Sequence, residues 1–151
     1  MNIDGTGLRQ VSNEPDDVDC FEPRYLPDGR IIFSSNAALQ CIPCWHGVAD
    51  RYAANLYSMN SDGTGMRRLT FDQDHNTNPY VRHNGQVLYS RWDYTGISRL
   101  YNRPLMAMNP DGNNQRAIYG SNSWFPNGLY SVKELPGKKR AIPECAGRIS
   151  W

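Results

Sequence analysis

The sequence predicts an all-β protein in which short antiparallel strands are joined by tight turns. Two turn signatures alternate along the chain, and its 13 Gly, 10 Pro and 9 Tyr residues are spread over its length, as many short strands and turns require. No window keeps apolar residues at positions i, i+3, i+4 and i+7 for three turns, which an amphipathic helix would need.

The first turn signature reads Asn-x-Asp-Gly and occurs three times, with its Asp-Gly step at residues 4, 62 and 111. The copies extend over residues 2–12, 60–70 and 109–119. Asp-Gly is a strong hairpin signal, because Gly accepts a positive φ without a Cβ clash and Asp bonds its carboxylate to the turn backbone. Each copy therefore predicts a hairpin.

The second turn signature alternates with the first and carries Asp-Gly or Asn-Gly ahead of an apolar run. It occupies residues 25–34 and 81–90, and a weaker copy occupies residues 125–131. The segments between the turns are short and rich in strand-forming residues: 30–34, 55–59, 66–69, 86–89 and 105–108.

Two of these segments are apolar at consecutive positions, namely residues 31–33 and 87–89. A strand with one face in water would alternate, so both faces of these strands should be covered by neighbouring sheets. Two hairpins per repeat make four strands per repeat. Four-stranded units repeating at a little over 40 residues, once insertions are allowed for, are typical of a β-propeller, and we predict a partial propeller of antiparallel blades.

The repeat divides the chain into blades. We expect a remnant of a preceding blade at 1–12, a blade at 22–70 with a long insertion at 36–54, a second blade at 78–119, an incomplete blade at 123–147 and a divergent tail at 148–151. Met1 aligns with Met59 and Met108 of the repeat, so earlier strands are expected to precede it. Known propellers have 4 to 8 blades, and uniting the partial ends gives only about three, so the chain is not expected to close on itself.

The net charge and the length of the apolar runs limit the kinds of binding partner that we expect for this chain. Lys plus Arg number 16 and Asp plus Glu 15, so the net charge of +1 gives no reason to expect nucleic acid. No apolar run approaches the roughly 20 residues that span a bilayer. The expected partners are the missing blades of the same protein or a separate protein.

The unit Met-Asn-x-Asp-Gly-x-x-x-Arg-x-Leu-Thr, followed by Pro-Asp-Gly-Arg-Ile, resembles the TolB-type, WD40-like propeller repeat. A narrower resemblance, to proteins related to the hydrazine synthase alpha subunit, rests on the strings at residues 70–76, 89–95, 108–112 and 119–124. It implies a large periplasmic or secreted protein whose propeller can carry a c-type haem. The resemblance further suggests a binding or scaffold module that is not catalytic on its own. The sequence contains no nucleophile elbow and no phosphate-binding Gly loop.

The insertion contains Cys41, Cys44 and His46 in the order Cys-x-x-Cys-Trp-His. Haem c attachment uses Cys-x-x-Cys-His, and here Trp45 displaces the histidine by one residue. Zinc is a second interpretation, with Cys20 as a fourth ligand. A disulfide or two ordinary thiols that stiffen the loop is the third, and the sequence leaves all three open.

A second cluster comprises Asp72, Asp74 and His75, in the segment between two blades. Two carboxylates and an imidazole can bind a metal ion or act as acid and base. Such a segment more often ties blades together through hydrogen bonds to the backbone.

A third cluster comprises Arg91, Trp92 and Tyr94, which follow a predicted strand. These side chains can present a planar donor and aromatic rings to a ligand. Alternatively, Trp92 fills the space between blades while Arg91 pairs with Asp93, and packing is the favoured interpretation.

Overall fold

The computed structural model describes residues 1–42, 52–93, 102–121, 126, 128–135, 137 and 141–146. These residues form ten strands: β1 (Cys20–Tyr25), β2 (Ile31–Ser35), β3 (Asn55–Met59), β4 (Arg67–Arg68), β5 (Asn76–Val81), β6 (Val87–Arg91), β7 (Leu105–Met108), β8 (Arg116–Tyr119), β9 (Gly128–Glu134) and β10 (Ala141–Ala146). No helix occurs in the described part of the chain, so the predicted all-β class is confirmed. Among these residues, no helix long and apolar enough to cross a bilayer is found.

The strands form three antiparallel sheets in chain order. The first sheet is β1-β2-β3-β4, the second is β5-β6-β7-β8, and the third pairs β9 with β10. The predicted four-stranded antiparallel repeat is therefore present twice. The described sheets form an open stack and are not closed into a ring.

Both turn signatures that separate the strands form the turns expected of them. In the three copies of the first signature, the amide of Asn2, Asn60 or Asn109 donates to the carbonyl four residues on, at 2.8, 2.9 and 2.9 Å. In each copy the Asp carboxylate also accepts from the amide two residues on, at 2.9 to 3.0 Å, and this bond is the main reason that its pKa is lowered. The second signature closes in the same way from Leu26 to Arg30 and from Arg82 to Gln86, at 2.8 Å each.

In the weaker third copy of the second signature, the described residues are 126 and 128–131, and they do not show the hairpin turn. Its residues 128–131 lie inside β9, and Gly128 pairs with Ala146 at the open end of the β9–β10 hairpin. Asn-Gly forms a hairpin turn only where it joins two paired strands. Here the strand that begins at Gly128 pairs with β10, which follows it in the chain.

Apolar layers hold the three sheets together. The layer between the first and second sheets, here called the first interface, consists of Leu26, Ile32, Leu56, Leu69, Val87, Tyr89, Met106 and Met108. The layer between the second and third sheets, the second interface, consists of Leu88, Leu105, Ala107, Leu129 and Val132. Residues 31–33 of β2 and 87–89 of β6 are all buried, which confirms the prediction that both faces of these two strands are covered.

The turn of one repeat contacts the segment that follows the same turn of the preceding repeat, and this contact occurs twice. A Cβ placed on Gly63 would lie 2.2 Å from the carbonyl oxygen of Val11, and one on Gly112 would lie 3.1 Å from that of Leu69. Both glycines have positive φ, 97° and 89°. Only glycine allows the backbone to approach so closely in this conformation, so the Asp-Gly step serves the stacking as well as the turn.

Candidate functional site

The cysteines of the insertion are only partly within the described residues. Cys41 is exposed and forms an isolated bridge with Tyr52, whereas Cys44 and His46 lie outside the described part of the chain. Cys20 is half-buried on β1, where its Sγ lies 3.6 Å from Oγ of Ser35. Burial raises the pKa of the Cys20 thiol, which disfavours the thiolate that a metal would bind. Within the described residues, no three side chains of His, Cys, Asp or Glu come together as metal ligands would.

Asp72 links the two four-stranded sheets. Its Oδ2 pairs with Nη2 of Arg91 at 2.9 Å and accepts from Nδ2 of Asn76 at 3.1 Å. Its backbone carbonyl accepts from Nε2 of Gln40, at the edge of the insertion, at 3.1 Å. The neighbouring Asp74 is buried. The carboxylate of Asp72 is therefore engaged in holding the chain segments together.

His75 is fixed between the two sheets as a neutral imidazole. Its Nδ1 accepts from the amide of Ala54 at 3.0 Å, and its ring stacks on Trp92 with centroids 5.5 Å apart and planes at 16°. Burial lowers the pKa of His75 to about 4, and the charge of Arg103 adds to this effect. The lone pair on Nδ1 is occupied, so that nitrogen has no free capacity for a metal ion or a proton.

Trp92 packs rather than facing an open surface. It is buried against Ile42 and Ala53, and the guanidinium of Arg103 lies 5.3 Å from its ring centroid and 5.2 Å from that of Tyr130. This column of rings and guanidinium joins the second sheet to the third. Tyr94 lies outside the described residues.

Arg91 pairs with Asp72, and the expectation of a pair with Asp93 is wrong in this respect. Its Nη2 also donates to the Tyr89 hydroxyl at 3.1 Å and to Oε1 of Gln115 at 2.9 Å. Asp72 lies in the segment between the two sheets and not beside Arg91 in the sequence. Sequence spacing therefore did not reveal this pair. Burial raises the pKa of Asp93, opposed by the charge of Arg91.

Sequence reasoning missed a polar cleft along the inner strands, here called the inner cleft. Strand β1 contacts β5, and β5 contacts β9, so the first strands of the three sheets lie side by side. Each carries one non-glycine residue with positive φ: Glu22 at 56°, Asn78 at 57° and Ser131 at 45°. In β1 and β5 this residue lies at a register shift. Bulges re-aim side chains and often lie beside functional sites.

The inner cleft has a volume of about 210 Å³ and is lined by Glu22, Arg24, Asn78, Pro79, Tyr80, Ser131, Val132 and Lys133. The Glu22 carboxylate accepts from the amide of Asn78 at 2.6 Å, from its side-chain Nδ2, and from Oγ of Ser34 at 3.0 Å. Arg24 and Lys133 are exposed at its rim. The carboxylate is thus satisfied by the protein, while two cationic groups face solvent.

A sequence signal for the inner cleft existed. Glu22 and Asn78 each precede a proline and each stand seven residues before a turn glycine, Gly29 or Gly85. Proline inside a strand is confined to edge strands, to first residues and to bulges, so a repeated x-Pro in a first strand indicates a bulge. Ser131 lacks the proline, and only the structure groups it with the other two.

The fold defined by these sheets is a stack of β-meanders joined by apolar layers, with first strands side by side. A solved chain of the hydrazine synthase of Kuenenia stuttgartiensis is similar to it, with a TM-score of 0.71 and 21% sequence identity. The match covers 88% of this chain and 24% of that chain. The likeness at this identity shows the fold, and this chain spans about a quarter of the length of that neighbour. No family model matches the sequence.

Proposed function

We propose that the chain forms consecutive blades of a β-propeller in a larger extracytoplasmic protein, where it serves as a binding and scaffold module and not as a catalyst on its own. The observation that carries this proposal is the side-by-side contact of β1, β5 and β9, because the blades of a propeller surround a central channel. The likeness to a quarter of a much longer chain supports a module of a larger protein. The extracytoplasmic location rests on the sequence resemblance.

The binding surface in this proposal is the inner cleft. Arg24 and Lys133 place two cations at its rim, and the carboxylate of Glu22 is already occupied by Asn78 and Ser34. The unsatisfied charge is therefore positive, and the ligand group that fits is a carboxylate or phosphate of a small molecule or of a partner protein.

The test is a titration of the ¹⁵N-labelled chain with acetate and with inorganic phosphate, followed by amide chemical shifts. We expect saturable shifts of the Asn78 and Ser131 signals with at least one of these anions. Lys133→Gln should weaken the binding about fivefold, equivalent to about 1 kcal/mol. Arg30→Gln is the matched control, because Arg30 pairs with Asp28 on a turn away from the cleft. The absence of saturable shifts, or equal weakening by both variants, would contradict the inner cleft as the binding surface.

A second candidate function rests on Cys41, whose thiol is exposed at the edge of the insertion. Cys41 and Cys44 would hold the vinyl groups of a haem c, or these cysteines with His46 and Cys20 would bind zinc. A haem would add redox chemistry to the module. Cys20 packs with Ile31 and Phe33 on the outer face of the first sheet, whereas Ile42 beside Cys41 packs with Trp92. This separation into two apolar clusters favours the pair Cys41 and Cys44 without Cys20.

Expression in a host that assembles c-type cytochromes distinguishes these cofactors. Covalent haem predicts a haem-stained band and a Soret absorption that Cys41→Ser abolishes. Zinc predicts stoichiometric metal that Cys41→Ser and Cys44→Ser remove and Cys20→Ser leaves. Protein without haem and without metal would eliminate this second candidate and leave the binding module untouched.

A further inference from the structure

An exposed aromatic ring, that of Phe71, lies where the first sheet meets the second. Phe71 directly follows the middle copy of the first turn signature, and 72% of it is exposed. Asn13 and Gly120 stand at the same place after the other two copies. The repeat therefore does not require an aromatic side chain here. A single exposed ring is ordinary on a protein surface, so its surroundings decide what it indicates.

The guanidinium of Arg68 is fixed against this ring. It lies 5.0 Å from the ring centroid of Phe71. Its Nη2 donates to Oε1 of Gln40 at 2.9 Å, and its Nε donates to the backbone carbonyl two residues on, at 2.6 Å. The guanidinium is thus held in place by the protein itself, so a ligand that binds it costs little further side-chain freedom. The repeat does not require this arginine either, since Gln10 and Ala117 take its position in the other copies.

Phe71 and Arg68 line a cleft of about 440 Å³, here called the outer cleft. Residues 67–69 and 71 line it from the first sheet and the segment after it, and residues 111–113 and 115 line it from the second sheet. Both sides of the outer cleft belong to the two complete four-stranded sheets. The cleft is therefore a property of the junction between these sheets, in the middle of the stack.

The charge of the outer cleft is positive. Arg67 is exposed and its Nη2 donates to the carbonyl of Asp111, so a second guanidinium lines the cleft together with that of Arg68. Among the described lining residues, the one carboxylate is that of Asp111. Its oxygens already accept from the amide and from Nδ2 of Asn113, at 3.0 and 2.9 Å. Two arginines beside an aromatic ring complement a ligand carboxylate that neighbours an apolar group.

We propose that the outer cleft binds an acidic peptide segment of a partner protein, with a side-chain carboxylate on Arg67 and Arg68 and a neighbouring apolar side chain on the ring of Phe71. Arginine clusters recognise acidic motifs, and arginine and aromatic residues often dominate the energy of protein interfaces. The inner cleft is formed by first strands, whereas the outer cleft lies beside the fourth strand β4, at the other edge of the first sheet. The proposal therefore adds a second binding surface and does not depend on the first.

The test is a titration of the ¹⁵N-labelled full chain with the blocked peptide acetyl-Asp-Phe-Asp-amide, followed by amide chemical shifts. We expect saturable shifts of the Phe71 and Asn113 signals. The neutral peptide acetyl-Asn-Phe-Asn-amide should bind at least about fivefold more weakly, because it lacks the carboxylates that pair with arginine. Phe71→Ala and Arg67→Gln should each weaken binding of the acidic peptide at least about threefold. Tyr25→Ala is the matched control, because Tyr25 is 71% exposed on β1, away from the outer cleft, and should leave the affinity unchanged.

Several outcomes would overturn this proposal. They are the absence of saturable shifts at Phe71 and Asn113, equal affinity for the two peptides, and equal affinity of Phe71→Ala and Tyr25→Ala. Urea unfolding of Phe71→Ala separates binding from packing: an unchanged midpoint supports the proposal, and a lowered midpoint with unchanged peptide affinity contradicts it. Shifts at Phe71 and Asn113 support the outer cleft whatever the anion titration gives, whereas peptide shifts confined to Asn78 and Ser131 would contradict it and support the inner cleft.

Discussion

The first and second interfaces are built from the same repeat, yet among the described residues only the first is closed at its outer end. At the first interface Gly112 covers Leu69, whereas at the second interface Ile118 in the equivalent place is exposed. Near the inner strands both interfaces are tied by a carboxylate, Glu22 in the first and Glu134 in the second. A fourth strand is therefore buried by the turn of the sheet that follows and not by its own sheet.

The carboxylate hydrogen bonds that join the sheets near their first strands differ between the two interfaces. Glu22 accepts from the backbone and side chain of Asn78, which lie in the neighbouring first strand. Glu134 accepts from the amide of His83 at 3.0 Å and pairs with Arg82 at 3.0 Å. The His83 amide, followed by Arg82, lowers the pKa of Glu134. The first interface thus depends on a bulge, and the second on a turn.

The largest effect expected from this comparison concerns two isoleucines in the same register. Ile32→Ala removes buried volume from the first interface and should lower the free energy of unfolding by about 4 kcal/mol. Ile142→Ala should lower the free energy of unfolding by less than about 0.5 kcal/mol, because the Ile142 side chain is exposed. Urea unfolding monitored by circular dichroism measures both. Similar losses in the two variants would show that the second interface is closed as well.

The next largest effect concerns the pH dependence of the free energy of unfolding, which should differ between the two interfaces. His75 is neutral in the folded chain, with a pKa lowered from 6.5 to about 4, so the unfolded chain binds more protons between these values. The free energy of unfolding should fall as pH falls from 6.5 to 4, by up to about 3 kcal/mol. His75→Gln should flatten this slope, whereas His83→Gln, on an exposed turn, should leave it. Loss of the Glu134 tie should follow only below pH 4.5, because its pKa is lowered from that value.

Unfolding at several pH values decides this prediction. A slope between pH 6.5 and 4 that persists in His75→Gln would mean that the imidazole between Ala54 and Trp92 is not the titrating tie of the first interface.

A smaller effect is expected from two glycines with the same backbone conformation. Gly5 and Gly112 have φ of 83° and 89°, so alanine at either place incurs a backbone penalty of about 1 kcal/mol. Alanine at Gly112 would in addition press on the backbone and Cβ of Leu69 and should lose about 2 kcal/mol more. Thermal unfolding of Gly5→Ala and Gly112→Ala measures the difference. Equal losses would mean that the turn does not bear on the fourth strand.

Much of the strand order could be read from the sequence, because turn chemistry is local. Asp-Gly and Asn-Gly steps sit within a few residues of the strands they join, and the consecutive apolar residues at 31–33 and 87–89 already implied two covered faces. The third sheet was harder, because Asn127-Gly128 has turn composition but Gly128 starts a strand. The composition Asn-Gly alone does not show whether these residues form the turn of a hairpin or lie at its open end.

The candidate sites were less accessible to sequence reasoning. The cluster of Asp72 and His75 was found, but its partners Arg91 and Ala54 come from other sheet segments. The inner cleft was missed because its residues lie 56 and 53 positions apart and share no residue type.

By itself, the sequence determined the all-β class, the positions of five of the predicted turns and the two four-stranded repeats, since these depend on φ preferences and on short runs of apolar residues over a few positions. Tertiary structure alone decided which halves of the stacking contacts are filled. Val11 and Leu69 are covered and Ile118 is not, although all three follow the same turn. Their burial depends on the sheet that follows in space, and no local pattern carries that information.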